Sequence, residues 1–145
     1  MEVGFLVGDT FYQIGSNELL HAFLSTISVN FEPDGWGSKY PLITNQLYQG
    51  FIDADDIEKA GEEFSKIYSD LLNLSIDKLV WDIDDLSARP PFDPKLDKSG
   101  RYKTLEDFFI TTDGNSLFEV MASALEDAYE NGCDLEIETF DDTEN

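Results

Sequence analysis

Hydrophobic and polar positions alternate at the start of the chain and then change period. Val3, Phe5 and Val7 alternate with Gly4 and Leu6, which predicts a strand over Glu2 to Val7 with at least one buried face. A second strand is predicted from Thr10 to Ile14, and Gly8-Asp9 between them fits a two-residue hairpin turn with glycine first. Gly15-Ser16-Asn17 then punctuates, and Leu19, Leu20, Phe23, Leu24 and Ile27 take up helical spacing to about Ser28. Residues 31 to 38 read as a loop, and Tyr40 to Tyr48 as a short helix with Pro41 in its first turn, closed by Gly50. The clearest helix runs from Ala54 to about Leu74, with Ile57, Ala60, Phe64, Ile67, Tyr68, Leu71 and Leu74 on one stripe. Gly61 inside it costs about 1 kcal/mol against alanine, which points to a close neighbour or to tolerance.

Lys78 to Ile83, centred on Leu79, Val80 and Trp81, reads as a third strand. Asp84 to Lys103, with Pro90, Pro91 and Pro94, reads as a long irregular stretch. Leu105 to Thr111 fits one helical turn followed by a short strand at Phe109-Ile110. Ser116 to Asn131 is a strong helix with a Ser116/Glu119 capping box and Gly132 at the left-handed C-cap position. Leu135, Ile137 and Thr139 alternate with Glu136 and Glu138 in a last, half-wet strand. The predicted architecture is α+β: a single domain over 1–140, with a small mixed or antiparallel sheet of four to five strands against three to four helices. Residues 141–145 are expected to form a disordered acidic tail.

Composition agrees with folding. Hydrophobic residues make up 41% of the 145 residues and aromatics 13%, which a disordered acidic chain lacks. Met1-Glu2 opens with an acid where a secretory leader carries Lys or Arg, and no apolar run reaches the roughly 18 to 20 residues of a membrane span. The chain is therefore expected in the cytoplasm. Cys133 is the single cysteine, so an internal disulfide and a multi-cysteine metal site are excluded.

Charge changes the picture most. The chain carries 31 acids and 9 bases, a net −22. All nine bases lie between Lys39 and Lys103, while 13 acids and no base follow from residue 104 onward. Such a field repels nucleic acid and anionic membranes and attracts basic proteins, and it exceeds the net charge of roughly 2–8 that solubility asks of a small domain.

Residues that carry chemistry are sparse. His21 is the only histidine; a helical wheel puts it with Ser25 and Ser28, opposite the apolar stripe, which predicts an exposed and non-catalytic side chain. A catalytic reading would require it to meet carboxylates in a deep cleft. Gly35-Trp36-Gly37-Ser38 lacks the lysine and preceding strand of a phosphate loop. Asp82 and Asp84 share a side if the strand continues, which would suit a divalent ion or an acid/base pair, but the glycine and distal glutamate of a calcium loop are missing and a solvated strand end is the plainer reading. No metal, cofactor or catalytic residue is assigned. Trp36, Tyr40, Tyr48, Trp81 and Phe92 lie near loops, and aromatic anchors ringed by charge are what protein interfaces use.

Several segments, taken together, carry a resemblance. They are Ser25-Thr26-Ile27-Ser28, Glu32-Pro33-Asp34-Gly35-Trp36-Gly37-Ser38, Leu47-Tyr48-Gln49-Gly50, Val80-Trp81-Asp82-Ile83-Asp84-Asp85-Leu86, Pro90-Pro91, Thr112-Asp113-Gly114 and Leu117-Phe118-Glu119-Val120. In these the chain resembles the immunity protein 70 family of bacterial polymorphic toxin systems, to about residue 138. The resemblance implies a cytosolic antidote that binds the toxic C-terminal domain of a co-produced effector, and it brings no catalytic residues. The acid surplus adds that the toxin surface would be basic, as a nuclease groove is. The residues expected to meet it are Asp53, Asp55, Asp56, Asp82, Asp84 and Asp85, with Trp36 and Tyr48. The alternatives are a metal-binding acidic enzyme, and an acidic adaptor or nucleic-acid mimic that binds a basic host protein.

Overall fold

A computed structural model of the chain describes residues 2–90, 94, 99 and 101–140, with Phe140 described in its backbone alone. The chain opens on the expected hairpin: β1 (Glu2–Val7) and β2 (Thr10–Ser16) pair antiparallel around Gly8, whose φ of +57 is the left-handed conformation that a tight turn needs. Ser16 caps α1 (Asn17–Phe31) by accepting the Leu19 N–H on its hydroxyl. A π-helical turn (Pro41–Gln46) leads to the two-residue β3 (Phe51–Ile52), and a 3-10 turn (Ala54–Asp56) leads to α2 (Ile57–Leu71). α3 (Leu105–Phe108) and α4 (Leu117–Asn131) follow, and β4 (Leu135–Phe140) closes the sheet. Gly132 ends α4 at φ +64, as the sequence indicates.

The sheet order is β2-β1-β4-β3, antiparallel throughout, so the architecture is α+β. Val3, Phe5, Val7, Ile14 and Leu135 are buried, and α1 and α4 pack against the β1–β2 hairpin. The aromatic centre of the core is Phe23 of α1, set 5.4 Å from Phe109 and 5.6 Å from Phe118. α2 packs on α4 and on the π-helical turn. No helix among the described residues is long and apolar enough to cross a membrane.

Three expectations are corrected. Lys78 to Ile83 is not a strand: a 3-10 turn (Ile76–Lys78) passes into irregular chain, and the fourth strand of the sheet is supplied by Phe51–Ile52. The reason lies in α1. Thr26 Oγ1 accepts the Val80 N–H at 3.0 Å and donates to the Val80 carbonyl at 3.1 Å. Ser25 Oγ accepts the Ile83 N–H, and Asn30 donates to the Lys78 carbonyl. Helix side chains thus satisfy backbone groups that a neighbouring strand would otherwise satisfy. Ser25 and Thr26 are buried under these contacts and Ser28 is buried too, so the face of α1 that the helical wheel assigns to solvent is covered. Tyr40 is also buried and is not an exposed aromatic, whereas Phe92, Pro91 and the tail 141–145 lie outside the described residues.

The connection from α1 to α2 is organised by two buried carboxylates. Glu32, only 3% exposed, accepts the N–H groups of Gly37, Lys39 and Tyr40 and the Thr44 hydroxyl. Glu63, reaching in from α2, accepts the N–H groups of Leu42 and Ile43 on one oxygen, Oε1, and so caps the π-helical turn. Burial alone would raise the pKa of Glu32, but the N–H groups of Tyr40, Gly37 and Lys39 outweigh it and hold the pKa below its ordinary 4.5. At Glu63 burial prevails over the Ile43 and Leu42 donors and the pKa is raised.

Glu32→Gln removes the charge that three backbone donors converge on and turns an amide NH2 toward some of them; it is expected to cost about 2–4 kcal/mol in urea unfolding at neutral pH. Glu63→Gln keeps a carbonyl oxygen for both its donors and loses a buried charge, so its effect is expected to stay within about 1 kcal/mol.

The two also differ in pH dependence. A depressed pKa contributes stability that is present above the unfolded value and lost as pH falls through the folded one. The gap between wild type and Glu32→Gln should therefore narrow in acid, below the ordinary carboxylate value of 4.5. A raised pKa has the opposite sign: its contribution is complete below the unfolded value and lost as pH rises through the folded one. Glu63→Gln should accordingly compare best with wild type at neutral pH and worse in acid, which denaturant titrations between roughly pH 3 and 7 would read.

Candidate functional site

The loop that Glu32 holds and the segment that Ser25 and Thr26 hold meet at the first half of α1. There the Trp36, Tyr48 and His21 rings cluster: Trp36 and Tyr48 stand edge to face at 5.3 Å, and His21 lies 5.7 Å from Tyr48 and nearly parallel to Trp36 at 6.4 Å. Gly37 has φ +80, and a Cβ there would stand 3.0 Å from Asn45 Cβ, so the turn beside Trp36 closes against Asn45 only with glycine. Tyr48 is 54% exposed and Trp36 half-buried.

Asp82 and Asp84 complete the cluster. The Ile83 N–H bond to Ser25 pins their backbone to α1, and Asp82 Oδ1 accepts the Asp84 N–H at 2.9 Å. His21 Nδ1 stands 4.0 Å from Asp82 Oδ1. One donor atom each from His21, Asp82 and Asp84 lie within 4.8 Å of one another. Together His21, Trp36, Asn45, Tyr48, Ile83 and Asp84 line an open cleft of about 300 Å³.

The structure therefore brings together four of the eight residues that the sequence singles out: Trp36, Tyr48, Asp82 and Asp84. The other four sit apart from this cleft lining. Asp85 turns to Ser87, whose hydroxyl and N–H lower its pKa. Asp53 caps the 3-10 turn before α2 by accepting the Asp55 N–H, and Asp55 and Asp56 are exposed on that turn. The residue that sequence reasoning misplaces is His21. It is 21% exposed, not free in solvent, because the 32–40 loop and the 80–84 segment fold over its face of the helix. Its signal in the sequence is the stripe His21, Ser25, Ser28: polar side chains at i, i+4 and i+7 on a helix that is otherwise apolar mark a face that meets backbone.

The cleft has the chemistry to receive a cation. Asp84 and two electron-rich rings line the opening and Asp82 stands beside His21, an arrangement that suits a Lys or Arg side chain by charge pairing and by stacking. The imidazole with two carboxylates also fits a divalent ion, which would draw its remaining ligands from water at the open side. His21 and carboxylates do converge, as a catalytic reading requires, but in an open cleft with Asp84 on the surface.

No curated protein and no solved structure shows significant similarity to the chain. The sequence profile of one family, described as immunity protein 70, matches residues 5–137. That span takes in the hairpin from Phe5 onward, the cleft and the first half of β4, and on it the chain belongs to the immunity protein 70 family.

Proposed function

We propose that this immunity protein acts in the cytoplasm by binding the toxic domain of a cognate effector from a polymorphic toxin system and covering the surface on which that toxin acts. The observation that supports this most directly is the cleft, where Trp36 and Tyr48 stand beside Asp82 and Asp84 at an open surface. An arginine or lysine from the toxin would stack on the rings and pair with the carboxylates, while the −22 field speeds encounter with a basic partner and keeps nucleic acid away. A nuclease, whose substrate groove is basic, is the toxin class that best complements such a surface. The protein's part is steric and electrostatic blockade, with no chemical step of its own. Asp85 and the Asp53, Asp55 and Asp56 group would add to the field without entering the cleft.

The cleft residues Tyr48 and Asp84 are exposed, so Tyr48→Ala and Asp84→Asn should leave thermal stability nearly unchanged. With the co-produced toxin, each is expected to weaken the complex by at least tenfold in calorimetry, and the pair together to abolish protection of growing cells. Protection that persists in both variants, or protection without any complex, would refute the reading. A second reading, a divalent metal centre, rests on the His21, Asp82 and Asp84 donors. It would displace the first if calorimetry with manganese, magnesium or calcium gave one-to-one micromolar binding that His21→Ala abolishes; docking of a cationic side chain expects no such stoichiometric site.

A further inference from the structure

A second surface stands on the opposite pair of helices. α2 and α4 pack together but leave between them an apolar groove of about 720 Å³, more than twice the cleft at His21. Its floor and walls include Phe64, Leu125 and Ala122, and two large apolar side chains remain open to solvent on it: Leu72, 46% exposed, and Tyr129, 60% exposed. Glu58, Glu62 and Glu126 also line it, and among the described residues no lysine or arginine does. Gly61 is part of the same lining, and a Cβ added to it would meet nothing within 4 Å. The fold thus has no steric need of glycine at this helical position, where it is less favourable than alanine, and its bare backbone keeps the groove open to close approach.

We propose that the α2–α4 groove docks an amphipathic helix of a partner protein, one whose apolar stripe fills the groove and whose flanking lysines or arginines meet Glu58, Glu62 and Glu126. Apolar walls with an acidic rim are the complement of that chemistry. Charge also tells against this chain as its own occupant. α4 carries Glu119, Glu126, Asp127 and Glu130 and no base, and residues 141–145 hold three further acids, so a second copy or the C-terminal tail would bring acid to an acidic rim. The surface is separate from the cleft, and the inference stands whether or not the toxin binds there.

The experiment uses the full chain and a fluorescein-labelled peptide of leucine and lysine about 18 residues long, enough to run the length of α2 at about 1.5 Å per residue. Its leucines are placed at i, i+3, i+4 and i+7, and a control of identical composition has them scattered round the wheel. By anisotropy near physiological salt, the amphipathic peptide is expected to bind at least tenfold tighter than the control. Tyr129→Ala, at a position the fold leaves exposed, should reduce that binding several-fold, and Gly61→Leu by tenfold or more. Gly61→Ala should raise the melting temperature by a few degrees while weakening the peptide. Equal binding of the two peptides, or indifference to both Tyr129→Ala and Gly61→Leu, would mean attraction by net charge alone and would overturn the proposal. So would sedimentation showing a dimer that Gly61→Leu dissociates, since the groove would then belong to a second copy.

Discussion

The irregular half of the molecule depends on a carboxylate placed where a carboxylate is costly. Glu32 is buried at the end of α1 in a protein of charge −22, and the structure stabilises it with backbone N–H groups from Gly37, Lys39 and Tyr40 in place of a lysine or arginine partner. Those donors belong to a loop that has no regular hydrogen-bond ladder of its own, so the carboxylate does for the loop what a strand partner does for a strand. Glu63 repeats the device one step later, on Leu42 and Ile43. The two opposite pKa shifts describe the division of roles: at Glu32 the donors, backbone N–H groups foremost, outweigh burial, and at Glu63 burial, joined by the nearby Glu32 charge, outweighs Ile43, Leu42 and Lys59. With the loop fixed, Trp36 is fixed, and with the π-helical turn fixed, Asn45 and Tyr48 are fixed.

α1 supplies the other half of the same solution. An amphipathic surface helix would present one apolar stripe, but this one is buried continuously from Ala22 to Ser28, and its hydroxyls serve the 78–83 segment as hydrogen-bond partners. The cleft therefore forms between two irregular segments, each held by polar side chains buried in or beside α1. A site made this way is hydrogen-bonded in place without being part of the sheet, which under the proposed reading would leave little entropy to lose on binding.

This explains what could be read in the sequence and what could not. The hairpin at Gly8, α1, α2, α4 with Gly132 and the last strand follow from period and punctuation, because each is a local property of a dozen residues. The 78–83 segment was legible as apolar and extended, yet it is not a strand, because nothing local distinguishes an extended chain bonded to Ser25 and Thr26 from one bonded to a sheet. β3 is two residues long and has no period to read. Four of the eight site residues come together because loop aromatics and acids in irregular chain tend to lie at the same surface; Asp53, Asp55 and Asp56 do not, because acids at a helix start are already explained by the helix dipole and by capping. His21 was misread because the helical wheel knows only inside and outside, whereas its face of α1 meets other backbone.

Net charge and local geometry also carry different parts of recognition. A field of −22 acts over distances near a Debye length, about 8 Å at physiological salt, and cannot distinguish one basic protein from another. Much of the acid that produces it is spread over exposed surface, and several ordered carboxylates, Glu32, Asp82, Asp85 and Asp107 among them, are held by N–H and hydroxyl donors of the chain itself. Their charge is thus ordered chiefly by neutral donors of the chain, with Lys103 adding to them at Asp107. Selectivity must come from the places where that charge borders a shaped apolar surface, because only there does the wrong partner leave a buried group unpaired. Two such borders stand out, the Trp36–Tyr48 cleft and the α2–α4 groove, so under the proposed reading the field would serve encounter and the aromatic and apolar surfaces would serve choice.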